Sequence, residues 1–249
     1  MKERESNVLS LLEDKTNIYA RKIALGMKTQ FGWKELTYDG LGLMSRRLAA
    51  YLMNDLGIQR GEKLAILSES KPEYGVCVFA SVISGLITVP LDIKLTKYEL
   101  QSILTDCLPS VMLVSQSYID KALELQKVIP SLKHIIVMDE HPVNENLQSI
   151  YTIPNNYTCK WRHRSRKSVV FIIYTSGTTG NPKGVETTFG NMLAQLKDLK
   201  TAFNQILPYG DVRVLSILPM NHLFEMTVGF STFLNLGFSV YYTHNLKPK

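Results

Sequence analysis

Strands alternating with helices predict an α/β fold, layered α/β/α around a mostly parallel sheet. Three observations carry that expectation. Short apolar runs recur at residues 63–67, 86–89, 111–114, 134–138 and 169–174, and such unbroken runs suit strands buried on both faces. Between most of them lie patterns with helical spacing. A Thr- and Gly-rich stretch follows the run at 169–174, where an open α/β sheet binds ligands, beyond the carboxyl ends of its strands.

The elements follow in order. Leu41, Met44, Leu48, Ala49, Leu52 and Leu56 recur at helical spacing, which predicts a helix over about 38–56 ended by Gly57. Lys63–Leu67 reads as a buried strand. A helix opens near Pro72, a residue suited to a first turn, and runs to about Ser84. Leu86–Val89 reads as a strand stopped by Pro90. Thr96 with Glu99 three residues on forms a capping box for a helix ending near Cys107. Val111–Val114 is then a strand, Tyr118–Val128 a helix and His134–Met138 a strand. The rhythm breaks over 140–168, which holds Pro142, Pro154 and a basic octet. It resumes with a strand at Val169–Tyr174, a helix at Phe189–Phe203, and strands at Arg213–Leu218 and Phe238–Tyr242. The chain therefore divides into a first α/β segment (1–139), an irregular basic connection (140–168) and a segment carrying the Thr–Gly loop (169–249).

At 249 residues and 45% apolar composition, the chain can bury a sizeable core. The net charge of +6 is local: five of the basic residues lie between Lys160 and Lys167, and the rest of the chain is nearly neutral. The octet reads as a solvated linker; an anionic membrane or nucleic-acid contact is the alternative, with only Trp161 as an aromatic. Cys77, Cys107 and Cys159 are odd in number and lack metal-ligand spacing, so reduced thiols in a cytoplasmic protein are expected. No metal site is read. Met1–Ser6 is followed by no apolar core of a signal peptide. The apolar stretch Val76–Leu91 is too short and too punctuated to cross a bilayer.

Residues 174–184 read Tyr-Thr-Ser-Gly-Thr-Thr-Gly-Asn-Pro-Lys-Gly. Four Ser/Thr hydroxyls, three glycines and one lysine in eleven residues suit phosphate oxygens, close backbone approach and charge neutralisation. The expected context is strand, loop, helix. The spacing is not that of a Walker loop, because Gly177 and Gly180 are three apart and Lys183 is followed by Gly184.

This string resembles the phosphate-binding signature of the adenylate-forming superfamily, which comprises acyl-CoA synthetases, adenylation domains of peptide synthetases and insect luciferases. Weaker strings in the same order support the resemblance: Leu36-Thr37-Tyr38-Asp39, Gly57 through Ile66, Gly85 through Asp92, and Leu218-Pro219-Met220-Asn221-His222-Leu223-Phe224-Glu225. Together they span about residues 36–245. The resemblance implies ATP-dependent activation of a carboxylate as an acyl-adenylate, then thioester formation with a thiol, usually coenzyme A. It implies that Thr175, Ser176, Thr178 and Thr179 hold phosphate oxygens of MgATP, that Gly177, Gly180 and Gly184 allow a close turn, and that Lys183 offsets charge on the departing pyrophosphate. His222 is implied near the acyl group and the adenylate, with Phe224 and Glu225 as further substrate residues; a capped structural His222 and a core Phe224 are the plainer readings. His-x-Phe-Glu is most similar to fatty acyl-CoA synthetases, which points to a medium- or long-chain fatty acid. Where the family often has Thr-His-x-Asn after Lys-Gly-Val, this chain has Thr188-Phe189-Gly190-Asn191.

The family's later strings are absent from these residues: Tyr-Gly-x-Thr-Glu, Thr-Gly-Asp, the hinge and the C-terminal lid with its lysine. The expectation is the N-terminal portion of a ligase, inactive in isolation and open to a complementing C-terminal fragment. Other readings are an acyl–carrier-protein, aryl- or amino-acid-activating ligase, a non-catalytic nucleotide-binding fragment, and a module that binds through the basic octet.

Overall fold

The computed structural model describes residues 15–159, 164–175, 182–206 and 211–243. Two sheets carry the fold. The larger has seven strands: β3 (Lys63–Leu67), β4 (Ile87–Leu91), β5 (Val111–Val114), β6 (His134–Val137), β7 (Gln148–Ser149), β8 (Val169–Thr175) and β9 (Lys183–Thr188). Their order is β7-β6-β5-β3-β4-β8-β9, parallel throughout except that β9 runs antiparallel to β8. The smaller has the order β10-β11-β1-β2, from β1 (Ile23–Thr29), β2 (Gly32–Thr37), β10 (Arg213–Ser216) and β11 (Ser239–Tyr242). Here β10, β11 and β1 are parallel and β2 returns antiparallel to β1.

Helices α1 (Tyr38–Asn54) and α2 (Pro72–Ser84) share one core with inward residues of both sheets, such as Leu25, Val240, Leu64 and Ile66. All of α2 is buried, so it is a central layer rather than an amphipathic surface helix. The opposite face of the larger sheet, with Ala65, Leu67, Met112 and Val114, packs on α3 (Lys97–Cys107) and α4 (Ile119–Gln126). Adjacent residues of one strand thus feed two different cores, which is why β3 and β5 have no polar face.

Local signals set most of the boundaries. Thr37 caps α1, accepting from the Gly40 amide. Pro72 is the first residue of α2, and Gly85 ends that helix at φ +84°, a conformation that strongly favours glycine. The Thr96–Glu99 capping box is present in full.

Several expectations are corrected. Pro90 does not stop its strand but lies inside β4, opposite Ile66; proline lacks an N–H, and the β4–β8 ladder registers only at Thr88–Phe171. The helix expected over Tyr118–Val128 is a 3₁₀ turn at Gln116–Tyr118 followed by α4. The smaller sheet's hairpin β1–β2 and strand β9 were not read from sequence. Between β10 and β11 the chain forms a widened π-helical segment, Glu225–Thr232, continued by a short α-turn, Phe233–Asn235. Ser231 and Thr232 donate to carbonyls five residues back, at 2.7 Å each. The basic octet is not uniformly solvated: Lys160–His163 lie outside the described residues, but Arg164 is buried and donates to the Leu86 carbonyl at 2.6 Å. The connection around it is packed down, with Tyr151 donating to Glu73 at 2.6 Å and Arg47 donating to the Ile153 carbonyl. Cys77 and Cys107 are buried free thiols, as expected.

Candidate nucleotide and acyl site

The parallel strands of the larger sheet end at one edge, and the loop motif begins there. Thr175 is the last residue of β8 and Lys183 the first of β9; they are directly paired, and both are exposed. Thr175 and Lys183 are therefore the two posts of the loop's mouth. Ser176, Gly177, Thr178, Thr179 and Gly180 lie outside the described residues. The expected strand–loop–helix order is corrected to strand–loop–strand: α5 (Phe189–Ile206) starts only after β9. Gly184, expected to permit a close turn, sits inside β9 opposite Tyr174. Among the described residues, no carboxylate pairs with Lys183.

The second expected group comes to the same edge from the smaller sheet. After β10, the backbone N–H of Met220 donates to Ser70 Oγ at 3.0 Å, which seats the 217–222 turn on the residues leaving β3. The His222 N–H donates to the Pro219 carbonyl at 3.0 Å, and its own carbonyl accepts from Met226. His222 is exposed, and so is Phe224, at 61%; Phe224 is therefore not a core residue. Glu225 differs from both. It is 4% exposed, and Ser216 Oγ donates to its Oε1 at 2.6 Å. A Cβ on Gly229 would collide with its carboxylate, so that glycine makes room for it. Burial raises the Glu225 carboxyl above the usual range, and the Ser216 hydrogen bond opposes the rise. Its carboxylate is thus engaged inside the protein rather than presented to a substrate.

Beside the turn after β10 lies a cleft of about 240 Å³, walled by residues that follow the carboxyl ends of four strands. Its lining includes Ser70 after β3, Asp92 and Lys94 after β4, Asn221 after β10 and Thr243 after β11. β4 is the neighbour of β8, so the Thr175–Lys183 mouth stands one strand beyond the cleft. Sequence reasoning missed these lining residues, because no short string joins positions that come together only when two sheets meet. The strand ends were readable, and each of these residues lies just beyond one.

A second crevice opens where the strand order reverses, between β3 and β5. It is the roomier of the two, about 750 Å³, but its charged lining is paired within the protein. Lys71 is 4% exposed and bonds to Asp139 at 2.6 Å, with Glu69 at 3.7 Å. Burial pulls its ammonium down, but Glu73, Asp139 and Glu69 outweigh that and leave it raised. The Gln116 amide donates to the other Asp139 oxygen at 2.7 Å, and Ser115 to Glu69 at 2.6 Å. Among the described residues, no group of three or more His, Cys, Asp or Glu side chains could hold a metal ion. No helix there is long and apolar enough to cross a membrane.

Comparison with known proteins agrees with this architecture. Residues 12–249 match the family model of the AMP-binding enzymes, and the chain belongs to that family. It is 28% identical over 264 residues to a long-chain-fatty-acid–CoA ligase of Salmonella typhimurium, covering 94% of this chain and 46% of that protein. Luciferin 4-monooxygenase of Photinus pyralis is also 28% identical, over 82% of this chain and 38% of its own length. Among solved structures, a red-emitting luciferase from Phrixothrix hirtus superposes with a TM-score of 0.84 at 19% identity, covering 97% of this chain and 59% of its own. The anthranilate CoA ligase AuaEII, solved with anthranoyl-AMP, gives 0.78 at 22% identity over 94% of this chain and 43% of its own. These structures establish the adenylate-forming fold. The chain spans about half the length, or less, of the relatives it matches.

Proposed function

We propose that this chain contributes the N-terminal part of the active site of an AMP-forming acid–thiol ligase, acting on a medium- or long-chain fatty acid with ATP and coenzyme A. The carrying observation is the pairing of Thr175 with Lys183 at the carboxyl edge of the parallel strands, flanking a segment made of Ser, Thr and Gly. In this reading Thr175, Ser176, Thr178 and Thr179 donate to the β- and γ-phosphates, and Gly177 and Gly180 let the backbone come close. Lys183 neutralises charge that builds on pyrophosphate as the carboxylate attacks the α-phosphate. Magnesium arrives with ATP as the substrate complex.

His222 and Phe224, exposed on the turn after β10, face the acyl group and the adenylate. Glu225 supports them from behind through Ser216 and makes no substrate contact. The widened helix after them adds to the support, since π-helical turns are rare and frequent at functional sites. The fatty-acid assignment rests on the names of the relatives and on the His-x-Phe-Glu string. A cytoplasmic setting fits the free cysteines.

The test is calorimetric titration of the 249-residue chain with MgATP, alongside a hydroxamate trapping assay on a panel of carboxylic acids. The expected result is saturable MgATP binding without net thioester formation, because the relatives' remaining half supplies the rest of the site. Absence of MgATP binding would refute the clamp. Robust thioester synthesis by this chain alone would refute its partial character.

A further inference from the structure

Tyr174 is engaged in a way that the chemistry of the loop does not explain. Its side chain packs with Ile172 on the face of β8 that meets α3. There its phenol donates to the carboxylate of Asp106, in the last turn of α3. Its strand partner is Gly184. A Cβ at that glycine would come within 3.1 Å of Tyr174 Cζ and 2.8 Å of Ile172 Cγ2. The space left by the absent side chain is therefore where the tyrosine ring lies. The next residues along the two strands are Thr175 and Lys183, the posts of the loop's mouth.

The donor is secure near neutral pH. Burial, then the hydrogen bond to Asp106, hold the phenol well above its ordinary range. Burial likewise pushes the neighbouring Cys107 thiol up to about 12, so it stays neutral beside the pair.

We propose that Tyr174 is a positioning residue for the phosphate loop: lodged against Gly184 and bonded to Asp106, it fastens both stems of the loop to α3 and so presets the spacing between Thr175 and Lys183. The proposal rests on the loop being the triphosphate clamp. The physical rationale is preorganisation: donors held at fixed spacing need no ordering when the ligand arrives.

Tyr174→Phe removes only the hydroxyl, and Asp106→Asn only the charge it meets. Amide hydrogen exchange of the ligand-free chain reads the stem directly, and MgATP titration reads its consequence. In Tyr174→Phe, exchange at Thr175, Lys183 and Gly184 is expected to quicken roughly tenfold, as loss of a hydrogen bond to a charged group implies. Amides of α2 keep their rates, and MgATP affinity falls by a similar factor. The double variant loses no more than Tyr174→Phe alone, because without the phenol hydroxyl residue 106 has no bond left to lose. Unchanged stem exchange, a uniform rise across the whole chain, or loosened stems with unaltered MgATP affinity would each overturn the proposal. Failure of the wild-type chain to bind MgATP would instead sink the clamp reading, while the exchange data still decide whether Tyr174 secures the stem.

Discussion

Ser216 and Glu225 close a 2.6 Å hydrogen bond that ties the end of β10 to the first turn of the helix behind His222. The bond crosses the turn that carries His222 and Phe224, so it sets where those exposed side chains stand. It is made by a buried carboxyl, which makes it dependent on pH.

Burial raises the folded-state pKa of Glu225 above its ordinary carboxyl value, against the opposing Ser216 hydrogen bond. Between the unfolded and folded values the native state retains the proton more strongly, so stability falls as pH rises through that window. Glu225→Gln cannot ionise and escapes this loss. The melting temperature of the variant relative to wild type is therefore expected to be more favourable at about pH 7 than at about pH 4. A difference that stays flat with pH, read by calorimetry, would disprove the assignment.

Two buried cations make opposite predictions. Lys71 is compensated by Asp139 and Glu69, so Lys71→Met strands those carboxylates and is expected to destabilise by about 3 kcal/mol in urea melts. Because its folded pKa is raised, the stability it confers is complete below its unfolded pKa and is lost only as strongly alkaline pH passes its folded value. Among the described residues, Arg164 has one bond, to Leu86, and its Nε and Nη1 have no partner. Burial and the charge of Arg60 bring its pKa down to about 10. Arg164→Met is expected to be neutral or stabilising by about 1 kcal/mol; a loss as large as that of Lys71→Met would contradict this account.

Gly26 is paired with Tyr241 between β1 and β11, and a Cβ there would run into the tyrosine ring. Gly26→Ala is expected to destabilise by about 2 kcal/mol. Most of that loss should vanish in a Tyr241→Ala background, where the ring is gone. Additive effects in the double-mutant cycle would show that the glycine serves some other end.

Lys183 is exposed at the loop's mouth, so Lys183→Ala should leave the melting temperature nearly unchanged. Its MgATP affinity is expected to fall roughly tenfold, the effect of removing one charge-assisted phosphate contact. In the completed ligase, ATP–pyrophosphate exchange should slow by a similar factor. Full retention of both binding and exchange would remove Lys183 from the clamp.

Strands β3 and β5, the capping box of α3 and the first residue of α2 were legible because each is written in a few adjacent residues. The hairpin β1–β2 was not: its glycine at the turn, Gly32 at φ +123°, sits in a Phe-Gly-Trp string that carries no usual turn signal. β9 was hidden for a related reason. Lys-Gly-Val-Glu-Thr-Thr has an exposed face and little apolar content, and it becomes a strand only because β8 offers it an edge. Arg164 looked like one more charge in a solvated octet, since nothing nearby in sequence announces the Leu86 carbonyl it reaches.

By itself the amino-acid sequence determined the alternating architecture, the loop chemistry around Lys183 and the family it belongs to, all of which depend on contiguous residues. Only the tertiary structure decided that Lys183 begins a strand, that Glu225 points into the protein while His222 and Phe224 point out, and that Tyr174 is held between Gly184 and Asp106. Those outcomes depend on which distant segments share an edge or a core, and burial free energy, which acts on the assembled surface, settles that.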